Sequence, residues 1–110
     1  MLHIYRGTVR GRFDDLADEV RVALLASADE HDGLKASFTH DGTFTYEKQL
    51  TFFSFRYELR ANGDSAEECE LDARYQAEED AVAYLQHHGI AYRDLKVNVW
   101  DMKSMWEGDD

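Results

Sequence analysis

The sequence of 110 residues contains no proline and a single cysteine, Cys69. Without proline, no edge strand can be protected from further pairing by that residue. A lone cysteine excludes an intrachain disulfide, so we expect a cytoplasmic location. The chain also lacks an apolar run of about 18 residues, so we expect no contact with a membrane. Its first residues contain no apolar signal-peptide core, so we expect no secretory signal.

Positive charge is scarce, because 12 Lys and Arg stand against 23 Asp and Glu, which gives a net charge of −11. Nucleic acid repels a chain with this balance, so we expect no nucleic-acid partner. No histidines or cysteines have the spacing of metal ligands, so we expect no metal. The sequence has no glycine-rich phosphate loop, serine elbow or Cys-x-x-Cys motif, and no cofactor is predicted.

Length and composition predict one globular domain over residues 1–110. Apolar residues make up 44% of the chain and aromatic residues 13%, which is enough for a modest core. The aromatic share is generous for a core of this size, so part of it is expected in a pocket or an interface. Residues 103–110 are expected to form a frayed acidic tail.

The first segments of the chain predict a strand followed by a helix. Alternation with a period of two predicts a strand from Leu2 to Phe13. Helical spacing of apolar residues predicts a helix from about Asp15 to Glu30 or His31. Asp14 is its expected N-cap, and Gly33 is expected to end it in a left-handed conformation.

The stretch from residue 38 to residue 60 has two interpretations. Asp41-Gly42 lies between short β-like runs at 38–40 and 43–46, which is a hairpin signal. Residues 43–60 are either one long bent strand or two strands that turn near Lys48-Gln49. A single straight strand of that length would span about 55–60 Å, too much for this domain without a bend.

A capping box formed by Ser65 and Glu68 predicts the start of a second helix. This helix is expected to run to about His87 or His88 and to end at Gly89. The expected apolar stripe of this helix consists of Leu71, Tyr75, Ala81, Val82 and Leu85. A last strand is predicted from Ala91 to about Met102.

The resulting order is β-α-β-β-α-β, which predicts an α+β fold of the ferredoxin-like kind. Such a fold has a four-stranded antiparallel sheet with two helices on one face, and the other face is open. We expect Gly7 and Gly11 to let a helix approach the sheet closely. Alternation places the following residues under the helices: Tyr5, Gly7, Val9, Gly11, Phe53, Phe55, Tyr57, Leu59, Leu95, Val97 and Val99.

Half of the 12 cations fall at even positions of the predicted strands: Arg6, Arg10, Arg12, Arg56, Arg60 and Lys96. Alternation gathers most of them on the open face, whereas Arg12 and Arg60 fall toward strand ends and are expected to serve solubility. Cations clustered on an acidic protein indicate an anion site or a subunit contact. The alternative is pairing with Glu58 and Glu47 across strands, because unpaired buried charge is costly.

These patterns predict a homodimer that binds a small anionic or aromatic organic molecule on the open face. The sequence leaves open whether a reaction follows. If it does, Arg6, Arg10 and Arg56 would stabilise an oxyanion or enolate, and His31 is the candidate base. The expected ligand-binding residues are Phe52, Ser54, Tyr92, Lys96, Asn98 and Trp100. The alternative is a non-enzymatic scaffold module whose sheet face is only a dimer interface.

The chain also carries a set of motifs spread over nearly its whole length: Thr8 to Asp14, Glu30-His31-Asp32, Phe38-Thr39, Leu50-Thr51-Phe52, Tyr92 to Val97, Asp101-Met102 and Met105-Trp106. Together they resemble an uncharacterised family of short actinobacterial proteins, a domain of unknown function. The resemblance implies the element order given above and a bacterial cytoplasmic setting, and it assigns no catalytic residue. This chain differs from that family in its acidic tail. In architecture it also resembles dimeric α+β barrels, some of which act without a cofactor on polyketide-like or aromatic molecules.

Overall fold

The structure is a computed structural model that describes residues 2–102, so the expected acidic tail at 103–110 lies outside the described residues. Within that range the chain forms one sheet, two α-helices and two short 3₁₀ helices. In chain order the elements are β1 (Leu2–Phe13), α1 (Asp18–Ala26), 3₁₀ helices at Ala28–His31 and Gly33–Lys35, β2 (Thr43–Tyr46), β3 (Phe52–Asn62), α2 (Ala66–His87) and β4 (Tyr92–Asp101).

All strand pairs of the sheet are antiparallel, and the strands lie in the order β2-β3-β1-β4. The long central strand β1 pairs with β3 over nearly its whole length, from Leu2 opposite Asn62 to Arg12 opposite Phe52. On its other side β1 pairs with β4, where the register shifts between Arg10 and Arg12. The predicted α+β class, with a four-stranded antiparallel sheet and two helices, is therefore confirmed.

The hydrophobic core lies on the sheet face that α2 covers, as the alternation predicts. The strand side chains in this core include Tyr5, Val9, Phe53, Phe55, Tyr57 and Leu59, with Leu95, Val97 and Val99 packed against them. The helix α1 adds Leu24 to the same core. Since neighbouring residues of a strand point to opposite faces, the cations at even positions are left on the other face.

The apolar stripe expected on α2 is wrong in part, because Leu71 and Tyr75 are each 66% exposed. The buried side of the helix is instead a row at every fourth position, made up of Cys69, Ala73, Ala77, Ala81 and Leu85. Large side chains from the sheet, such as Phe55 and Tyr57, fill the space beneath the helix. Small helix residues therefore pack against large sheet residues, and the largest apolar residues of α2 are not the buried ones.

The role expected for Gly7 and Gly11 is also wrong in detail. A Cβ added at Gly11 would lie 2.5 Å from Cζ of Phe53, and one at Gly7 would lie 3.0 Å from Cδ1 of Leu59. The two glycines therefore make room for bulky side chains of the neighbouring strand β3, not for a helix backbone.

The first helix is shorter than predicted, and its expected caps are wrong. Asp15 has a positive φ of 43°, so α1 begins only at Asp18, with Ala17 as a cap that forms no side-chain hydrogen bond. The hydroxyl of Tyr46 donates a hydrogen bond of 2.6 Å to the carbonyl of Leu24, which satisfies one of the last carbonyls of the helix. Gly33 is not left-handed but begins the second 3₁₀ helix.

The expected hairpin around Asp41-Gly42 does not form. Thr39 makes an isolated parallel bridge to Tyr57, so the chain on both sides of the turn lies along β3. The second interpretation of residues 43–60 is confirmed, since β2 and β3 are separate strands. Leu50, whose φ is 54° and whose amide donates to the Glu47 carbonyl, closes the turn between them.

The second helix agrees closely with its prediction at both ends. The Ser65 hydroxyl accepts a hydrogen bond of 3.2 Å from the amide of Glu68, and Gly89 is left-handed with a φ of 65°. The Glu68 carboxylate accepts a hydrogen bond from the amide of Asp64 rather than from that of Ser65. The capping box is therefore present with its return bond shifted by one residue.

Candidate functional site

The register of the sheet brings the predicted open-face residues together. Arg10 lies between Ser54 on β3 and Lys96 on β4. Two residues along β1, Thr8 lies between Arg56 and Asn98, and Arg6 follows between Glu58 and Trp100. Because directly opposed residues of an antiparallel pair have Cβ atoms about 4.5–5.5 Å apart, these side chains form one continuous surface.

A chain segment that the alternation does not predict covers one end of this surface. Phe38, half-buried in the connection between the second 3₁₀ helix and β2, lies over it. The guanidinium carbon of Arg6 is 4.8 Å from the centre of the Phe38 ring, and that of Arg56 is 5.7 Å away. The Trp100 ring meets Phe38 edge-on, with ring centres 5.6 Å apart. We name this group of four residues the Phe38 cover.

Beside the Phe38 cover, with which it shares Arg56, a part of the open face forms the floor of a groove of about 1340 Å³. The residues that line its floor are Arg10, Arg12, Phe52, Ser54, Arg56 and Lys96, and those of its rim include Asp29, Asp32, Leu34, Glu47, Lys48 and Asp94. The floor is therefore rich in cations, whereas most of the acids lie at the rim. We call this feature the sheet groove.

The cations on the floor of the sheet groove have no acidic partner within residues 2–102, whereas Lys48 at its rim pairs with Asp29. The ion pairs of that range join His3 to Asp101, Lys48 to Asp29 and Arg74 to Glu70. The Nε atom of Arg6, on the same sheet face, is buried and forms no hydrogen bond with the described residues. The alternative of cross-strand pairing with Glu58 or Glu47 is therefore not found in the described part of the chain, although Glu58 lies directly opposite Arg6 in the sheet.

Arg12 has a different place from the one expected. It lines the sheet groove, and its guanidinium carbon lies 5.2 Å from the centre of the Phe52 ring. Its even position in β1 already indicated this face, but the position near a strand end suggested a role in solubility alone. Because the loop at Glu47 to Gln49 extends the groove past the end of the strand, Arg12 becomes part of the floor.

Two of the predicted site residues lie on the other side of the sheet. His31 donates a hydrogen bond of 2.8 Å from Nδ1 to the carbonyl of Phe44 and stacks on Tyr46 at 5.3 Å. It lines a separate pocket of about 280 Å³ between the helices. Tyr92 lies opposite Phe13 and packs against the core. The structure thus does not bring His31 or Tyr92 together with the arginines.

Tyr46 lines the sheet groove as well, but its hydroxyl is already engaged by the carbonyl of Leu24. Burial raises the pKa of Tyr46, and the neighbouring Tyr84 and Glu30 raise it further. This phenol therefore stays protonated at neutral pH, as a hydrogen-bond donor to the backbone. The chemistry that the groove offers is binding by guanidinium, ammonium and hydroxyl groups.

Other kinds of site were sought in the same residues. Among residues 2–102, no group of three or more His, Cys, Asp or Glu side chains is arranged to hold a metal ion. In that range, neither helix is long and apolar enough to cross a membrane.

Comparison with known proteins gives a match to a family model. Neither among curated proteins nor among solved structures is any chain significantly similar to this one. A family model described as a family of unknown function, DUF6204, matches residues 1–109. This match confirms the resemblance to an uncharacterised domain that the motifs indicate. The chain therefore belongs to the family of unknown function DUF6204.

Proposed function

We propose that the sheet groove binds a small organic anion with an aromatic part, of which an aromatic carboxylate is the simplest example. The observation that carries this proposal is the cluster of Arg10, Arg12, Arg56 and Lys96 on one surface without an acidic partner in residues 2–102. Like charges held this close repel one another, and a bound anion would relieve that repulsion.

The cations are placed to recognise a planar anion. Arg10 and Lys96 are directly opposed in the sheet, and Ser54 lies opposite Arg10 on the other side. A guanidinium presents paired N–H donors that match the two oxygens of a carboxylate. The Ser54 hydroxyl adds a further donor at the same level of the sheet.

The aromatic part of the ligand is expected to lie on Phe52. This side chain is 62% exposed at the floor of the groove, an unusual position for a large aromatic residue. One side of its ring carries the Arg12 guanidinium. The remaining surface is free to stack on a second ring, which also brings the negative end of the ligand toward the arginines.

The acids at the rim support the same choice of ligand. Asp29, Asp32 and Glu47 line the groove from segments outside the strands that carry the cations. They repel an anion from the walls, so the negative group of a ligand is directed to the floor. The groove exceeds the usual range of about 300–1,000 Å³ for ligand pockets, so it has room for a molecule of several rings, including a polyketide-like one.

For the fold, we propose the ferredoxin-like βαββαβ arrangement. The order β2-β3-β1-β4, with each neighbouring pair antiparallel, supports it. We further propose a cytoplasmic homodimer of the dimeric α+β barrel class. The lone Cys69 supports the location, and the exposure of Lys96 and Asn98 on the open face supports the dimer.

A second candidate function is a scaffold in which the open face only joins two copies. It is favoured by Leu34, which is 94% exposed and lines the same groove as the exposed Phe52. Two apolar side chains of this size in solvent are typical of a surface that a partner covers. In this case the groove closes on dimerisation and no small molecule enters it.

Turnover of the bound molecule is a separate question. Arg10 and Arg56 could stabilise negative charge that develops on an oxygen of the ligand. His31 lies on the other side of the sheet, so it is not the base in this proposal. We therefore propose binding as the function, and catalysis only for a ligand that supplies its own base.

Calorimetric titration with 2-naphthoate tests the proposal, with 2-naphthalenemethanol as the uncharged control. We expect Arg10→Ala and Arg56→Ala each to weaken naphthoate binding about tenfold, because each removes a charge-assisted hydrogen bond. Arg60→Ala is the matched control. Arg60 is an exposed cation on β3, the strand of Arg56, and it does not line the groove. Equal effects of all three substitutions, or equal binding of the alcohol, would contradict an anion site.

Sedimentation of the unmodified protein over a wide concentration range tests the dimer. A dimer that binds no naphthoate would favour the scaffold over the ligand site. A monomer that binds naphthoate would support the ligand site and contradict the proposed dimer.

A further inference from the structure

A second cavity, separate from the sheet groove, lies on the helix-covered side of the sheet. It has a volume of about 320 Å³ and lies between the turn that precedes β2 and the helix α2. None of the residues described as lining it lines the groove. Its apolar wall is formed by the rings of Phe44, Phe55 and Tyr84. The polar groups at this cavity are Tyr57, His40, Asp41 and Asp80.

Tyr57 is a buried polar side chain without a partner in this cavity. The residue is only 1% exposed, and its hydroxyl forms no hydrogen bond within residues 2–102. Buried tyrosine hydroxyls normally have a hydrogen-bond partner. The Tyr57 oxygen is not fully enclosed within residues 2–102, so it borders the open space of the cavity, where a ligand can reach it. Gly42 fixes the ring in place, since a Cβ at that position would lie 2.1 Å from Cε1 of Tyr57.

The charges at the cavity are mainly negative. Asp41 and Asp80 both line it, and neither forms an ion pair with a cation within the described range. Asp80 is an exposed residue that lines the same cavity as Tyr57. Burial raises the pKa of Tyr57, and the charge of Asp80 raises it further. Burial raises the pKa of Asp80, Glu79 raises it further, and His40, which also lines the cavity, opposes this shift.

We propose that this cavity binds a primary ammonium group carried on a short apolar chain. The ammonium donates hydrogen bonds to the Asp80 carboxylate and the Tyr57 hydroxyl, and the chain lies against Phe44, Phe55 and Tyr84. An ammonium has three donors and no acceptor, which suits two oxygen acceptors in one small space. The faces of aromatic rings attract cations, so the apolar wall also favours a positive ligand.

The same features argue against other ligand classes. An anion would meet two carboxylates and no cation other than a protonated His40. A metal ion needs a group of three or more acidic, histidine or cysteine ligands, and none is found in residues 2–102. A neutral apolar molecule would leave the Tyr57 hydroxyl without a partner in the cavity.

Titration of ¹⁵N-labelled full-length protein with butylammonium, followed by amide chemical shifts, tests the proposal. We expect shifts at Gly42, Tyr57 and Ala83, which line the cavity. We expect Asp80→Asn to weaken binding about tenfold and Tyr57→Phe about threefold, as expected for losing a charged and a neutral partner. Arg10→Ala should leave butylammonium binding unchanged, since Arg10 belongs to the sheet groove.

The control for net charge is Glu78→Gln, which removes one negative charge from the same helix at an exposed position outside the cavity. Equal weakening by Glu78→Gln and Asp80→Asn would overturn the proposal, because it would show nonspecific attraction to an acidic protein. Equal binding of 1-butanol would overturn it in favour of a purely apolar pocket. Equal binding of tetramethylammonium would overturn the assigned hydrogen bonds, because that ion has no N–H donor.

Discussion

The guanidinium carbon of Arg6 lies 4.8 Å from the centre of the Phe38 ring, so a loop residue covers a cation of the central strand. The carbonyl of Thr39 accepts a hydrogen bond of 2.8 Å from the amide of Glu58, which holds the loop against β3. The Phe38 cover therefore closes one end of the open face and leaves the sheet groove at the other end. Phe38 competes with any ligand for the guanidinium of Arg56.

Phe38→Ala should strengthen the binding of 2-naphthoate. A contact between a cation and an aromatic ring is worth about 0.5–1 kcal/mol, so releasing Arg56 from Phe38 should tighten binding about two- to fivefold. Phe52→Ala is the matched control, because it removes the aromatic residue of the groove floor, on which we expect the ligand to stack. It should weaken binding about two- to tenfold. Calorimetry on both variants checks this, and changes of the same sign would contradict the assigned roles.

The element order and the two faces of the sheet could be predicted because both depend on local patterns. Alternation in β1 and β3 assigns each side chain to a face, and Ser65 and Gly89 mark the ends of α2. The Phe38 cover could not be predicted in this way. It depends on a loop that crosses the sheet, and no periodicity relates Phe38 to Arg6 or Trp100.

Only part of the candidate site could be predicted, because strand register places some of its residues but not all of them. The positions of Arg10, Arg56 and Lys96 follow from strand register. The position of His31 does not, since it depends on where α1 ends. Because the chain tightens into a 3₁₀ helix after Ala26, His31 lies against Phe44 on the helix side of the sheet.

Gly42→Ala should destabilise the protein strongly. Gly42 has a φ of 87°, which disfavours any side chain, and an added Cβ would lie 2.1 Å from the ring of the buried Tyr57. We expect the free energy of unfolding to fall by about 3 kcal/mol. Gly33→Ala is the control, because no atom lies within 4 Å of a Cβ at that position. Its effect in urea denaturation should stay within about 0.5 kcal/mol, and similar losses in both variants would contradict this account of Gly42.

The buried stripe of α2 shows why hydrophobicity alone misleads in a helix over an aromatic sheet. The stripe of Ala73, Ala77 and Ala81 packs against side chains as large as Phe55 and Tyr57, which already fill the core. The buried positions of α2 are therefore occupied by small residues, because the large side chains of the sheet leave no volume for larger ones.

Ala77→Leu should destabilise the protein by about 1–3 kcal/mol, because Ala77 is fully buried and the extra atoms overpack the core. Leu71→Ala should change the free energy of unfolding by no more than about 0.5 kcal/mol, because Leu71 is 66% exposed. Both leucine and alanine are good helix formers, so helix propensity does not dominate the comparison. Thermal and urea unfolding of the two variants check it, and a larger loss in Leu71→Ala would contradict the observed orientation of α2.

The contribution of Asp80 to the free energy of unfolding should fall as the pH rises. Burial, with a smaller contribution from Glu79, raises the pKa of Asp80 in the folded state above its usual value of 3.8. A raised carboxyl pKa contributes stability that is fully present below 3.8 and is lost as the pH rises through the folded-state pKa. In urea denaturation, the stability of Asp80→Asn relative to the unmodified protein should therefore increase as the pH rises from below 3.8 through the folded-state pKa of Asp80. Because His40 lowers the pKa of Asp80, the background substitution His40→Gln should shift this gain to higher pH. A stability difference that is independent of pH would contradict the cause assigned to the shift.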